Sequence, residues 1–106
     1  MMPYVFILNH ILLKRIGKKN YIGMYYVYIV KCADESLYTG IATELERRIE
    51  EHNGSQKGAK YTRIRRPVEL VYSEEYSDRS SASKREYEIK KKMTRKEKLA
   101  LIEPSE

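Results

Sequence analysis

The sequence predicts an α+β fold: a small three-stranded antiparallel sheet flanked by helices, in the order β-β-α-β-α-α. Three observations predict it. The run Tyr25-Tyr26-Val27-Tyr28-Ile29-Val30-Lys31-Cys32 is rich in β-branched and aromatic residues, which suit a strand. The turn formers Ala33 to Ser36 separate it from a second such run, Leu37 to Ile41, so the two read as a hairpin. Farther on, apolar residues recur at helical spacing in two segments, one on each side of a third strand-like run. At 106 residues the chain has room for one modest core and one domain.

The elements follow in order. Thr43-Glu44-Leu45-Glu46 has the form of a capping box and predicts the start of the first helix, which Asn53-Gly54 should end. Residues 55–67 read as a polar, basic loop closed by Pro67, and Val68 to Tyr76 as the third strand. Asp78 or Ser80 caps a second helix running to about Lys92. Thr94-Arg95-Lys96-Glu97 is a further capping box, opening a last helix through Ile102 that Pro104 stops.

Lys and Arg number 21 against 15 Asp and Glu, for a net charge of +6, which by itself points only weakly to a polyanionic partner. Most of that excess lies in residues 1–23, where Lys14, Arg15, Lys18 and Lys19 meet no acidic residue; without them the charge is +2. The apolar run Tyr4 to Leu13 is too short to cross a bilayer, and the charges follow it rather than precede it, unlike a secretory signal. Residues 1–23 are expected to be a loosely ordered extension and residues 24–106 the single domain. Cys32 is the one cysteine, which excludes an internal disulfide and a cysteine zinc cluster; only His10 and His52 are histidines. A reducing compartment, most simply the cytoplasm, is expected, with no membrane partner.

Polar residues standing on apolar faces carry the functional signal. With Leu45 at zero on the first helix, Ile49 falls at about +40°, His52 at about −20° and Arg48 at about −60°, so a histidine and an arginine share the inward arc. On the second helix Ala82, Glu86, Ile89 and Met93 form one stripe, with a carboxylate in its middle. Such a carboxylate requires a cation, a hydrogen-bond partner or a metal; an ion pair with an arginine such as Arg48 is the structural alternative. Tyr26, Tyr28 and Val30 alternate onto one strand face, and Tyr38 joins them if the turn holds an odd number of residues, or an even number with a bulge. Between Lys57 and Arg66 no acidic residue interrupts Lys57, Lys60, Arg63, Arg65 and Arg66, and Tyr61 is interleaved among them, a pattern that can track a phosphate backbone.

This ordered set resembles the GIY-YIG nuclease superfamily, in particular its small standalone bacterial members. The first motif stands as Tyr26-Val27-Tyr28 and the second as Tyr38-Thr39-Gly40, with Arg48, His52 and Glu86 following at the family's spacing; Asn53-Gly54, Gly58-Ala59 and Thr62 match the bacterial subgroup. The literal Tyr21-Ile22-Gly23 lies before the first strand and is not the motif. Tyr26 and Thr39 replace a glycine and an isoleucine, and the asparagine many members place after the glutamate is missing.

The resemblance implies an endonuclease that hydrolyses phosphodiester bonds, in DNA rather than RNA, branched or single-stranded forms included, leaving a 5′-phosphate and a 3′-hydroxyl. It implies Glu86 as the ligand of one divalent ion, Mg²⁺ with Mn²⁺ as substitute, and Arg48 as the phosphate clamp. Tyr28 or Tyr38 is the general base or water-orienting group, and His52 assists proton transfer. Two rival readings remain open: a non-catalytic nucleic-acid-binding module, and a small protein-interaction subunit. A domain this small covers few nucleotides, so a protein partner or a homodimer is expected to supply fine specificity.

Overall fold

A computed structural model of the chain describes residues 23–104. Apart from Gly23, the extension expected over residues 1–23 lies outside the described residues. Three strands form one antiparallel sheet: β1 (Tyr25–Lys31) lies between β2 (Leu37–Ala42) and β3 (Glu69–Tyr76). Four helices follow or interleave: α1 (Leu45–Gly54), the single turn α2 (Lys60–Arg63), α3 (Arg79–Tyr87) and α4 (Arg95–Ile102). The expected element order holds, with α2 added inside the segment read as a loop.

The central position of β1 explains its composition. Both its faces are covered, so it runs as unbroken Tyr, Val and Ile, and every residue from Tyr26 to Val30 is buried. On one face Tyr26, Tyr28 and Val30 pack with Leu70, Val68 and the α1 residues Leu45 and Ile49. On the other, Val27 and Ile29 pack with Val71 and the Ala82 and Ile89 side chains, flanked by Met93, Leu101 and Ile102. The sheet is thus a middle layer between α1 and the α3–α4 pair. A register shift between β1 and β3 after Ile29 passes over Val71.

The hairpin turn settles the question of parity. Lys31 pairs with Leu37, which leaves five residues, Cys32 to Ser36, in the turn. Glu35 takes a φ of 72° there, and the Cys32 N–H bonds the Ser36 carbonyl at 2.8 Å. With that odd count Val30 pairs with Tyr38, and Tyr38 stands on the same face as Tyr28.

Two expected helix signals act differently. Thr43 does not cap α1: the N-cap is Glu44, in extended conformation, with no side-chain cap bond. The strand runs on to Ala42, which leaves Thr43 one residue too early for the box. At the other end Gly54 stays helical and Ser55 is the extended C-cap. Asn53 uses its amide elsewhere, bonding the Val68 carbonyl at 2.9 Å and the Val68 N–H at 2.6 Å, and so ties the end of α1 to the approach of β3.

The later signals hold. Asp78, not Ser80, caps α3 by accepting from the Ser81 N–H at 2.8 Å. Helix α3 continues to Lys92 as expected, its last turn widening into a π-helix, Glu88–Lys92. Thr94 and Glu97 form the full capping box of α4.

Candidate active site

Local geometry first brings two residues together across strands. Tyr28 and Gly40 are direct partners in the β1–β2 ladder. A Cβ at position 40 would lie 2.5 Å from the Tyr28 hydroxyl, so glycine is what lets the phenol lie across β2. The phenol then points at α1. Its hydroxyl lies 2.7 Å from His52 Nε2, and the Tyr38 ring meets the same imidazole edge-on, at 5.3 Å between centroids.

His52 Nδ1 continues the chain to Thr62 Oγ1 at 2.8 Å, and the Thr62 hydroxyl donates to the Ala59 carbonyl at 3.0 Å. Both His52 and Thr62 are fully buried. The network assigns the protons. Having given its one proton to Ala59, Thr62 must accept, so Nδ1 carries the imidazole hydrogen and Nε2 is the acceptor. Tyr28 therefore gives its own proton to His52 Nε2. At the opposite end the Arg48 charge pulls on the Tyr28 phenol.

The electrostatics support that order. Burial pushes the Tyr28 phenol up to about 12, against the opposing pull of Arg48. Burial also pushes His52 down to about 4, helped by the charges of Arg48 and Arg66. Near neutral pH the phenol is protonated and the imidazole neutral.

Arg48 is held by a bond to Glu51 Oε1 at 2.9 Å and another to the Lys57 carbonyl at 2.8 Å. It does not pair with Glu86, so the ion pair that would have explained that carboxylate is replaced by one within α1. Glu86 lies on the stripe with the buried Ala82 and Ile89, is itself one quarter exposed, and faces Lys90 at 3.6 Å. Its charge reaches Tyr28, adding a small upward push to the phenol. Lys90, on the π turn, places its ammonium 5.3 Å from the Tyr38 ring. The structure thus brings Tyr28, Tyr38, Arg48, His52 and Glu86 to one region.

Among the described residues no three His, Cys, Asp or Glu side chains gather to hold a metal ion. A lone, partly exposed carboxylate is the donor set of an open site in which waters and a substrate phosphate complete the shell. That is how Mg²⁺ is usually held. Glu86 fits such an ion.

The basic segment divides into two kinds of residue. Lys57, Lys60 and Arg63 are exposed. Arg65 pairs with Asp34 at 3.1 Å and donates to the Tyr61 carbonyl. Arg66 turns inward to the carbonyls of His52 and Ser55, both at 2.5 Å, and of Glu51. Carbonyls at a helix end lack intrahelical partners, and Arg66 donates to those of Glu51 and His52 in the last turn of α1 and to that of its C-cap Ser55. Arg66, expected at the nucleic-acid surface, is engaged with the end of α1 in this structure. Gly58 permits the close passage, since a Cβ there would lie 2.7 Å from the Glu51 carbonyl oxygen.

Sequence reasoning gave no role to Thr62, Glu51, Gly40 or Lys90. Thr62 and Ala59 act through the single turn α2, which has no apolar period to betray it. Gly40 was visible as the end of the second motif, though its service to the Tyr28 ring shows only in the strand register.

The chain matches the GIY-YIG catalytic domain over residues 24–99. It is 60% identical over 82 residues to a UPF0213 protein of Desulfotalea psychrophila, covering 77% of this chain and 74% of that one. A UPF0213 protein of Staphylococcus saprophyticus is 60% identical over 78 residues, covering 74% of this chain and 93% of its own length. The solution NMR structure of the protein EF2693 from E. faecalis is similar at 48% identity with a TM-score of 0.50, covering 71% of this chain and 78% of that one. Among the described residues no helix is long and apolar enough to cross a membrane.

Proposed function

The chain belongs to the GIY-YIG catalytic-domain family, a nuclease superfamily, and we propose that it is a metal-dependent endonuclease of the bacterial cytoplasm that hydrolyses DNA phosphodiester bonds. The observation that carries the reading is the directed chain from Tyr28 through His52 to Thr62.

Hydrolysis needs an activated water, a neutralised phosphate and a stabilised leaving oxygen. Free phenolate is too costly an intermediate here. Burial holds the phenol up near 12 and the imidazole down near 4, and both shifts oppose a phenolate–imidazolium pair. A concerted relay avoids it. The attacking water passes a proton to the Tyr28 oxygen as Tyr28 passes its own to His52 Nε2. The Nδ1–H bond to Thr62 fixes the ring for that transfer and leaves the receiving nitrogen bare.

Arg48, planar and permanently charged, holds the scissile phosphate beside Tyr28. Tyr38, edge-on to His52, borders the same space and orients water or phosphate. Glu86 would hold a Mg²⁺ or Mn²⁺ ion, which when bound neutralises charge on the phosphate and leaving oxygen. Lys57, Lys60 and Arg63 draw the polyanion to the site.

The test is cleavage of single-stranded, duplex and branched DNA with Mg²⁺ or Mn²⁺, comparing wild type with Glu86→Ala. Metal-dependent cleavage by the wild type alone supports the reading. Binding without cleavage by both proteins replaces it with a non-catalytic binding module.

A further inference from the structure

Tyr61 and Ile64 are large apolar groups left in solvent beside the site, 40% and 82% exposed. They lie one helical turn apart on α2 and its C-cap. Tyr61 is not loose. Its ring stacks on Tyr38 at 5.9 Å with 24° between planes, and the Arg65 guanidinium covers it 3.9 Å from the ring centroid. Asp34 and the Tyr61 carbonyl fix that guanidinium in turn. The result is a column, Tyr38–Tyr61–Arg65, running outward from the Tyr38 ring that touches His52. Arg65 at its outer end is still 29% exposed. Tyr38 packs on the core from β2, but Tyr61 and the exposed Ile64 beyond it belong to neither core cluster.

We propose that the Tyr38–Tyr61–Arg65 column and Ile64 form a base-stacking platform, so that the site takes single-stranded or unpaired nucleic acid in preference to continuous duplex. The inference rests on the nuclease reading above and names its substrate form. An aromatic ring or an Arg guanidinium plane accepts the face of any base, whatever its identity. In a continuous duplex those faces are occupied by neighbouring bases. A base must leave its stack to use the column, and an apolar side chain such as Ile64 keeps it out by filling the gap. The flanking Lys57, Lys60 and Arg63 follow the backbone without reading sequence.

The experiment measures binding of a labelled single-stranded oligonucleotide, and of the same sequence as duplex, to the full chain in chelator so that no cleavage occurs. A 2-aminopurine in the single strand reports stacking by loss of fluorescence. The wild type is expected to favour the single strand and quench the probe. Ile64→Ser and Tyr61→Ala are each expected to weaken single-strand binding roughly tenfold, with duplex binding unchanged and quenching reduced; Tyr61→Phe stays close to wild type. Because Ile64 is exposed, its variant folds normally and carries the test even if Tyr61→Ala disturbs Tyr38. Equal affinity for both forms, or equal loss on both, overturns the platform while leaving a nuclease in place. Absence of binding to either form by the wild type overturns the platform together with the reading it rests on.

Discussion

The Tyr28 hydroxyl and His52 Nε2 lie 2.7 Å apart between β1 and α1, with the phenol donating and the imidazole kept neutral by burial. Neither residue has this property alone. Gly40 clears the path for the phenol, Thr62 fixes the tautomer, and the charge of Arg48 draws on the phenol. Nitrogen NMR of His52 is expected to show Nδ1 protonated and Nε2 bare at pH 7.

His52 also makes stability depend on pH. Its folded pKa of about 4 lies below the ordinary value of 6.5. Between the two, the unfolded chain binds a proton that the folded chain refuses, so stability is full above 6.5 and falls as pH drops toward 4. The gap corresponds to something on the order of 3 kcal/mol. From pH 6.5 to 5 the carboxylates Glu51 and Glu74, both held below their usual range, stay ionised, so His52 supplies the slope. Urea midpoints across this window are expected to fall with pH in the wild type and to stay level in His52→Gln.

Arg66 is predicted to matter for stability, and Lys60 and Arg63 for binding. Arg66→Ala strips charged donors from three carbonyls at the end of α1 and should cost about 2–3 kcal/mol. Lys60→Ala and Arg63→Ala are expected to leave the melting temperature unchanged. Each should lower the salt slope of nucleic-acid binding by about 1.

Most of the fold was legible because β1 carries buried side chains on both faces and the Asp78 and Thr94 caps use strictly local bonds. Local spacing also placed Arg48 and His52 on one arc and Glu86 on the buried stripe. Legibility failed where long-range geometry decides. The five-residue turn that aligns Tyr38 with Tyr28 depends on strand pairing, and the α2 turn that supplies Thr62 and the inward path of Arg66 depend on partners ten or more residues away. Thr43 failed for a different reason, since continued strand pairing to Ala42 outweighed a local capping signal.

Thr39 leaves a correctable cost in the sheet. It is buried in β2, and its hydroxyl has no hydrogen-bond partner among the described residues. An unsatisfied buried hydroxyl is destabilising by about 1–3 kcal/mol. Thr39→Val keeps the branched shape and removes the oxygen. It is expected to raise the melting temperature by roughly 4–8 °C for about 1 kcal/mol gained, with DNA binding unchanged.

The central claim is that Tyr28 and His52 act as one proton relay, and a double-mutant cycle on the cleavage rate addresses it most directly. Single-turnover rates in saturating Mg²⁺ would be compared for wild type, Tyr28→Phe, His52→Gln and the double variant. The account predicts a loss of about 10²–10⁴ for each single change and no further loss in the double, because a broken relay cannot be broken twice. Losses that multiply in the double variant, or a Tyr28→Phe protein that cleaves at the wild-type rate, would contradict it.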